Sequence, residues 1–329
     1  MKEIIIGEKE ANQRLDKFLM KYMNQSPKAF VYKMLRKKRI KYNGKKAYGN
    51  EKLISGDIIQ LYLSDETINR FQKEKEIKET RQSFLVIYED ENILICNKPL
   101  GILVHGSRDK EKDTLMDEIL FYLAQKGEYS PSTSIAFTPA ICNRLDRNTS
   151  GIVIVGKNLM ALQGMNQMLK DNKIKKYYLA VVKGIVKNSG VLKGYHKKNK
   201  KTNEVKIFKD AIEDSKYVET HYKPLCNNGK YTLLEIEIIT GRSHQIRAHL
   251  SSIHHPVIGD LKYGNEEVNK YFREKYHLKH QFLHGYKITI EDAVKGLEYL
   301  KNLSFRADFP KIYKEICKGE NLNLPDYLH

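Results

Sequence analysis

The stretch "CNRLDRNTSGIVIV", Cys142–Val155, sets a lone acid, Asp146, between Arg144 and Arg147. It continues through the turn-forming residues Asn148, Thr149, Ser150 and Gly151 into an apolar run. That run, Ile152 to Val155, reads as a short buried strand. An acid on the turn leading into such a strand is held rigidly and can face a cleft. Flanking cations favour its ionised form, suited to a nucleophile or a base. Taken alone, an acid beside two arginines is more often structural, and the chain carries the same triplet earlier, at Arg14, Leu15 and Asp16. The triplet by itself does not decide between the two roles.

Working outward, strand signals cluster around this stretch. "FLVIYEDENILICNKP" reads as two strands about an Asp-Glu-Asn turn, and "KKYYLAVVKG", "YTLLEIEIIT" and "HGYKITI" read as further strands. "KNLMALQGMNQMLKDN" is amphipathic at helical spacing, "SHQIRAHLSSI" reads as a helix with Ser243 as its N-cap, and "PKIYKEICK" as a terminal helix. Strands and helices do not alternate regularly, which points to an α+β fold with a mixed, mostly antiparallel sheet.

The N-terminal stretch has a different texture. Leu15, Phe18, Leu19 and Tyr22 share a helical face. Ser26 and Pro27 read as an N-cap and first-turn proline for a helix carrying Phe30, Met34 and Leu35. A strand at Ile40–Tyr42, an Asn43-Gly44 turn and a closing strand in "GDIIQLYL" follow. Between Lys33 and Lys46 lie eight basic residues and no acid, a density that fits phosphate binding; Lys33, Arg36, Lys37, Lys38, Arg39 and Lys45 are the candidates. Residues 65–82 are polar, with no apolar period beyond Ile68 and Phe71, and read as a linker. The expected division is a small α/β domain at 1–64, the linker, and a larger domain at 83–329.

Composition bounds the partner. In 329 residues, 58 Lys plus Arg against 40 Asp plus Glu give a net charge of +18, which suggests a polyanion. No apolar run is long enough to span a membrane, and "MKEIIIGEKE" is neither a signal nor a transit peptide, so the expected location is the cytoplasm. Four cysteines, none in a Cys-x-x-Cys pair, argue against a disulfide framework or a zinc site.

Two more stretches carry chemistry. In "TGRSHQIRAHLSSIHHPVIGD", Arg242, His244, Arg247 and His249 crowd a strand-to-helix junction, where guanidinium groups and helix N–H groups make an anion site. Arg247 and Ser243, four apart, would share a helix face. The histidines have no partner Cys or acid at ligand spacing, which disfavours a metal. Of Tyr177 and Tyr178, adjacent in a strand, one faces each side of the sheet; one is free to stack on a base or donate its hydroxyl.

"NKPLGILVHG", "NRLDRNTSG", "KKYYLAVVKG" and "TGRSHQIRAHLSSIHHPVIGD" resemble, in the same order, the motifs of the RluA-type pseudouridine synthases. "FLHGYKITI" is similar to the family's C-terminal strand, and residues 1–64 resemble the small RNA-binding domain first seen in ribosomal protein S-four. The resemblance implies a pseudouridine synthase fold and isomerisation of uridines, in large-subunit ribosomal RNA or precursor ribosomal particles, by a monomer that needs no cofactor or metal. It places the catalytic aspartate on Asp146. Counting back from Ala180 in Lys-x-Tyr-x-Ala places the tyrosine on Tyr178, and the arginine that pairs with the aspartate falls on Arg247, with Arg242 second. It implies that Arg144 helps replace or hold a flipped nucleotide. Arg147, Arg242 and His244 join it as expected RNA contacts. Where the family usually has His before Arg-Leu-Asp, this chain has Asn143, whose amide still donates and accepts hydrogen bonds. The rival readings are an inactive RNA-binding protein, a nucleoside glycosidase, which normally needs two carboxylates, and a synthase acting on tRNA.

Overall fold

The computed structural model describes residues 1–8, 10–72, 76–106, 113–131, 137–199 and 202–325. The N-terminal unit runs β1 (Lys2–Ile5), α1 (Leu15–Tyr22), α2 (Lys28–Arg36), β2 (Ile40–Tyr42), β3 (Lys45–Lys46), β4 (Ile58–Leu61) and α3 (Asp65–Phe71). Its strands pair antiparallel in the order β1-β4-β2-β3. Leu15, Phe18, Leu19 and Tyr22 of α1 are buried in its own core, as their spacing predicts. Asn43 and Gly44 join β2 to β3 with positive φ at both residues (48° and 75°), the geometry that an Asn-Gly hairpin turn supplies without strain.

Three local expectations change. Pro27, not Ser26, occupies the N-cap of α2 and no side chain caps it. Val31 and Leu35 are the buried residues of α2, with Phe30 and Met34 half-buried. Within the segment read as a linker, α3 forms. Ser64 accepts from the Thr67 N–H, Ile68 is buried in the N-terminal core, and Phe71 packs on Phe30 with ring centres 4.6 Å apart. A single cap and two apolar residues three apart suffice for a two-turn helix that a neighbouring core receives. Residues 73–75 of that segment lie outside the described residues.

The larger unit continues with β5 (Leu85–Glu89), β6 (Ile93–Lys98), α4 (Leu115–Gln125), β7 (Ala140–Ile141), β8 (Ser150–Gly156), α5 (Leu159–Lys170) and β9 (Ile174–Lys183). Then come β10 (Gly190–Lys198), β11 (Val205–Phe208), β12 (Lys216–Asn227), β13 (Tyr231–Ile238), α6 (Gln245–Ser252), α7 (Glu266–Tyr276), β14 (Leu283–Ile290), β15 (Ser304–Arg306) and α8 (Lys311–Gly319). The sheet order is β11-β10-β12-β13-β9-β14-β8-β6-β5, with β15 on β14 and β7 on β8. Pairing is antiparallel except where β14 runs parallel to β8, so the sheet is mixed and mostly antiparallel.

Both faces of this sheet are covered. In β8, Val153 and Val155 join one core while Ile152 and Ile154 join another; in β6, Leu94 and Cys96 separate in the same way from Ile93 and Ile95. Burial on both faces is why these strands read as continuous apolar runs rather than alternating ones. At the start of β8 the backbones crowd. Gly151 has φ 120°, and a Cβ there would lie 2.2 Å from the Gly285 carbonyl oxygen. Gly285 in turn pairs with Tyr178 of β9. These two glycines let the turn bearing Asp146 approach the strand bearing Tyr178.

Candidate active site

Asp146 lies on the wall of a cleft of about 470 Å³, a volume suited to a nucleotide-sized ligand. Its turn is tied down from several sides. The Thr149 N–H donates to the Asp146 carbonyl at 3.0 Å, and Arg147 Nε donates to the Gly101 carbonyl at 2.9 Å. Below them sits Lys98, 0% exposed, whose Nζ donates to the carbonyls of Pro99, Ile102 and Arg147 at 2.9, 3.0 and 3.0 Å. Burial pulls the pKa of Lys98 down to about 7, opposed by the Asp146 carboxylate. Three donated bonds use all three ammonium protons, so the geometry is that of the charged form.

Arg247, at the N-terminal end of α6, is 6% exposed and bridges two acids. Its Nη1 donates to Asp146 Oδ2 at 3.1 Å, while Nε and Nη2 grip Asp260 at 2.6 and 2.8 Å. Asp260 is itself fixed by the N–H groups of Lys262 and Tyr263. The guanidinium therefore cannot swing away, and it presents one N–H edge to Asp146. Tyr178, 7% exposed, lines the same cleft. Burial, and secondarily the Asp146 charge, push its phenol well above the usual range, so the hydroxyl stays protonated at neutral pH.

Asn143 has a clear place. Its Oδ1 accepts from the Ile154 N–H at 2.8 Å and its Nδ2 donates to the Ile152 carbonyl at 3.0 Å. The amide thus clips the segment before Asp146 onto the edge of β8. Arg144 and Arg242 are exposed on the cleft wall, beside half-buried His244. His244, not Ser243, occupies the N-cap of α6, in the left-handed region with φ 54° and no side-chain cap. Ser243 is outside the helix and shares no face with Arg247. Gln245 explains why: its Oε1 accepts from the Arg242 N–H and its Nε2 donates to Thr220, which anchors the helix start from inside. Lys33, Arg36, Lys37, Lys38, Arg39 and Lys45 all lie exposed on the N-terminal unit, apart from this cleft.

Sequence reasoning missed Lys98, Asp260 and Lys176. Asp260 closed a quoted motif, and an acid ending a run that holds an interior arginine, 13 residues after Arg247, was the available signal. Lys176 lines the cleft, two residues before Tyr178 and so on its side of the strand. Among the described residues, no group of His, Cys, Asp and Glu side chains is arranged to hold a metal ion, and no helix is long and apolar enough to cross a membrane.

Residues 92–252 match the RNA pseudouridylate synthase family. The chain is 31% identical to ribosomal large subunit pseudouridine synthase C of Buchnera aphidicola over 95% of its length and 96% of that protein's. It is 30% identical to ribosomal large subunit pseudouridine synthase D of Borreliella burgdorferi, over 80% of this chain and 79% of that one. Its fold is shared with human RNA pseudouridylate synthase domain containing 4 (TM-score 0.58, 20% identity, 73% of this chain and 94% of that one). The chain belongs to the RNA pseudouridylate synthase family. It is an isomerase that converts uridine to pseudouridine in RNA.

Proposed function

We propose that this enzyme modifies specific uridines of large-subunit ribosomal RNA, with Asp146 as the catalytic aspartate, Arg247 as its partner and Tyr178 as the residue packed on the base. The observation that carries the site is convergence. Three segments distant in sequence bring Asp146, Tyr178 and Arg247 to one cleft, with Arg247 Nη1 3.1 Å from the Asp146 carboxylate. The names of the relatives support ribosomal RNA as the substrate.

Isomerisation breaks N1–C1′, turns the base, joins C5 to C1′ and releases the proton on C5 to solvent while N1 gains one, so the formula is unchanged. Asp146 serves as nucleophile, or as the base that starts deprotonation at C2′. Tyr178 stacks on the uracil, and its neutral phenol hydrogen-bonds the turned base. Flipping the base costs roughly a few kcal/mol, which phosphate contacts offset. Arg144, Arg242 and His244 supply such contacts at the cleft, and Arg147, exposed on the same turn as Asp146, adds another. The basic residues of a module at 1–64, with α3 packed on it, supply them at a distance and raise effective concentration at the cleft. The larger module at 83–329 carries the chemistry. The reading extends to a monomer in the cytoplasm, where the free cysteines are at home.

Tritium release from [5-³H]uridine-labelled ribosomal RNA tests it, with pseudouridine mapping in RNA from cells with and without the gene. Release without free uracil is expected. Free uracil would mark a glycosidase, binding without release an inactive RNA binder, and modification confined to tRNA would overturn the substrate.

A further inference from the structure

Tyr263 lies just past the Arg247–Asp260 pair, in the loop before α7. Its position is fixed from every side. Asp260 Oδ1 accepts its N–H at 3.1 Å, and its carbonyl accepts from Ser251 Oγ at 3.0 Å. Gly264 follows so tightly that a Cβ there would lie 2.1 Å from the Asp260 carbonyl oxygen. The phenol ring lies under Arg247, with the guanidinium carbon 5.2 Å from the ring centre, and meets the His244 ring edge-on with centres 5.7 Å apart.

The tyrosine hydroxyl has two partners among the described residues. It accepts the Val205 N–H at 2.8 Å and lies 2.9 Å from His244 Nδ1. An amide N–H only donates, so the single phenol proton remains available and has one acceptor within reach, His244 Nδ1. With Nδ1 accepting, a neutral imidazole carries its proton on Nε2. That nitrogen is 3.9 Å from Asp146 Oδ2. The gap is too long for a hydrogen bond, and it closes with a small shift or with a substrate oxygen placed between the two groups.

We infer that Tyr263 is a positioning residue, which locks His244 as the neutral Nε2–H tautomer and so aims a fixed hydrogen-bond donor at the reacting face of Asp146. The inference rests on Asp146 being the catalytic carboxylate. The groups around His244 agree with a neutral ring. Burial lowers its pKa most; Asp146 opposes this, and Arg247, Lys262 and Lys198 add to it. Burial also raises the phenol of Tyr263, so its proton stays in place across the working pH range. Acidification that protonates His244 must break the bond from Tyr263 and create an imidazolium that competes with Arg247 for Asp146.

The tautomer is read directly from two-bond ¹H–¹⁵N spectra of histidine-labelled full-length protein. The His244 signal is assigned among the eleven histidines by its loss in His244→Gln. The Nε2–H pattern is expected at neutral pH, giving way in Tyr263→Phe to a mixture of tautomers with a higher His244 pKa. In tritium release, Tyr263→Phe should lower kcat by roughly tenfold to a hundredfold with KM little changed, and should shift the acid limb of the kcat profile to higher pH. His244→Gln, which keeps an N–H near the Nε2 position, should retain most of the turnover that His244→Leu loses. An Nδ1–H or doubly protonated ring in the unmutated protein would overturn the inference. So would a Tyr263→Phe variant with unchanged kcat and pH profile. An Nε2–H ring in a protein without tritium release would count against the reading of Asp146 alone.

Discussion

Arg14-Leu15-Asp16 and Arg144-Leu145-Asp146 are the same three residues in two surroundings. In the first, Arg14 folds back onto its own acid, with Nε and Nη2 at 3.1 and 3.0 Å, and Tyr32 donates to the same carboxylate at 2.6 Å. Asp16 is 2% exposed in the first turn of α1, where an anion also suits the helix dipole. Every strong partner is within its own small unit, and the carboxylate is consumed by them. In the second, Arg144 points away into the cleft, and the acid is held by Arg247, a residue from another element. That partner is itself saturated by Asp260, so Asp146 keeps an open face toward the cleft. Asp16 is enclosed by its neighbours; Asp146 is oriented from behind and left open in front.

The comparison breaks most sharply at Asp146. Asp146→Asn should cut tritium release by at least about a thousandfold while leaving thermal unfolding nearly unchanged; full turnover would remove the distinction. Next is the support behind it. Asp260→Ala leaves the buried guanidinium of Arg247 half-paired and should cost about 3–5 kcal/mol in urea unfolding, together with much of the turnover. Asp16→Asn should act in the opposite sense, lowering stability by about 1–3 kcal/mol with kcat unchanged. The Tyr32 and Arg14 bonds outweigh burial and hold the Asp16 pKa below the ordinary carboxyl value. Its stabilisation is therefore full above the unfolded value near 4 and lost as pH falls through the lower folded value, a dependence that Asp16→Asn should remove from acid unfolding curves. The smallest change is expected from neutralising Arg36, Lys37 and Lys38 to Gln. RNA affinity should weaken, and the slope of log K against log salt should fall by about 0.7–0.9 for each phosphate no longer neutralised, with kcat on saturating RNA unchanged. An unaltered salt slope would mean that this basic surface is not an RNA anchor.

Much of the sheet was readable because it is buried on both faces. "ILIC" and "GIVIV" have no reason to be continuously apolar unless each face meets a core. The helix at Asp65–Phe71 escaped notice because its signal is one cap and two apolar residues, and its stability comes from a core formed elsewhere. The start of α6 was misread for a related reason. Ser243 looks like a cap by residue type, but the helix is anchored by Gln245 reaching to Thr220, a bond across 25 positions. Asn143, puzzling in isolation, is explained by two bonds to a strand that sequence position does not reveal as its neighbour.

The residue types at Asp146, Tyr178 and Arg247, their order and the basic balance of the chain were set by the sequence alone, because charge, hydrogen-bonding capacity and strand periodicity are local properties. Which of two identical triplets faces a cleft, why Lys98 and Asp260 matter, and which nitrogen of His244 carries a proton were decided only by the tertiary structure. Each depends on a partner many residues away, brought close by burial of the sheet that joins them.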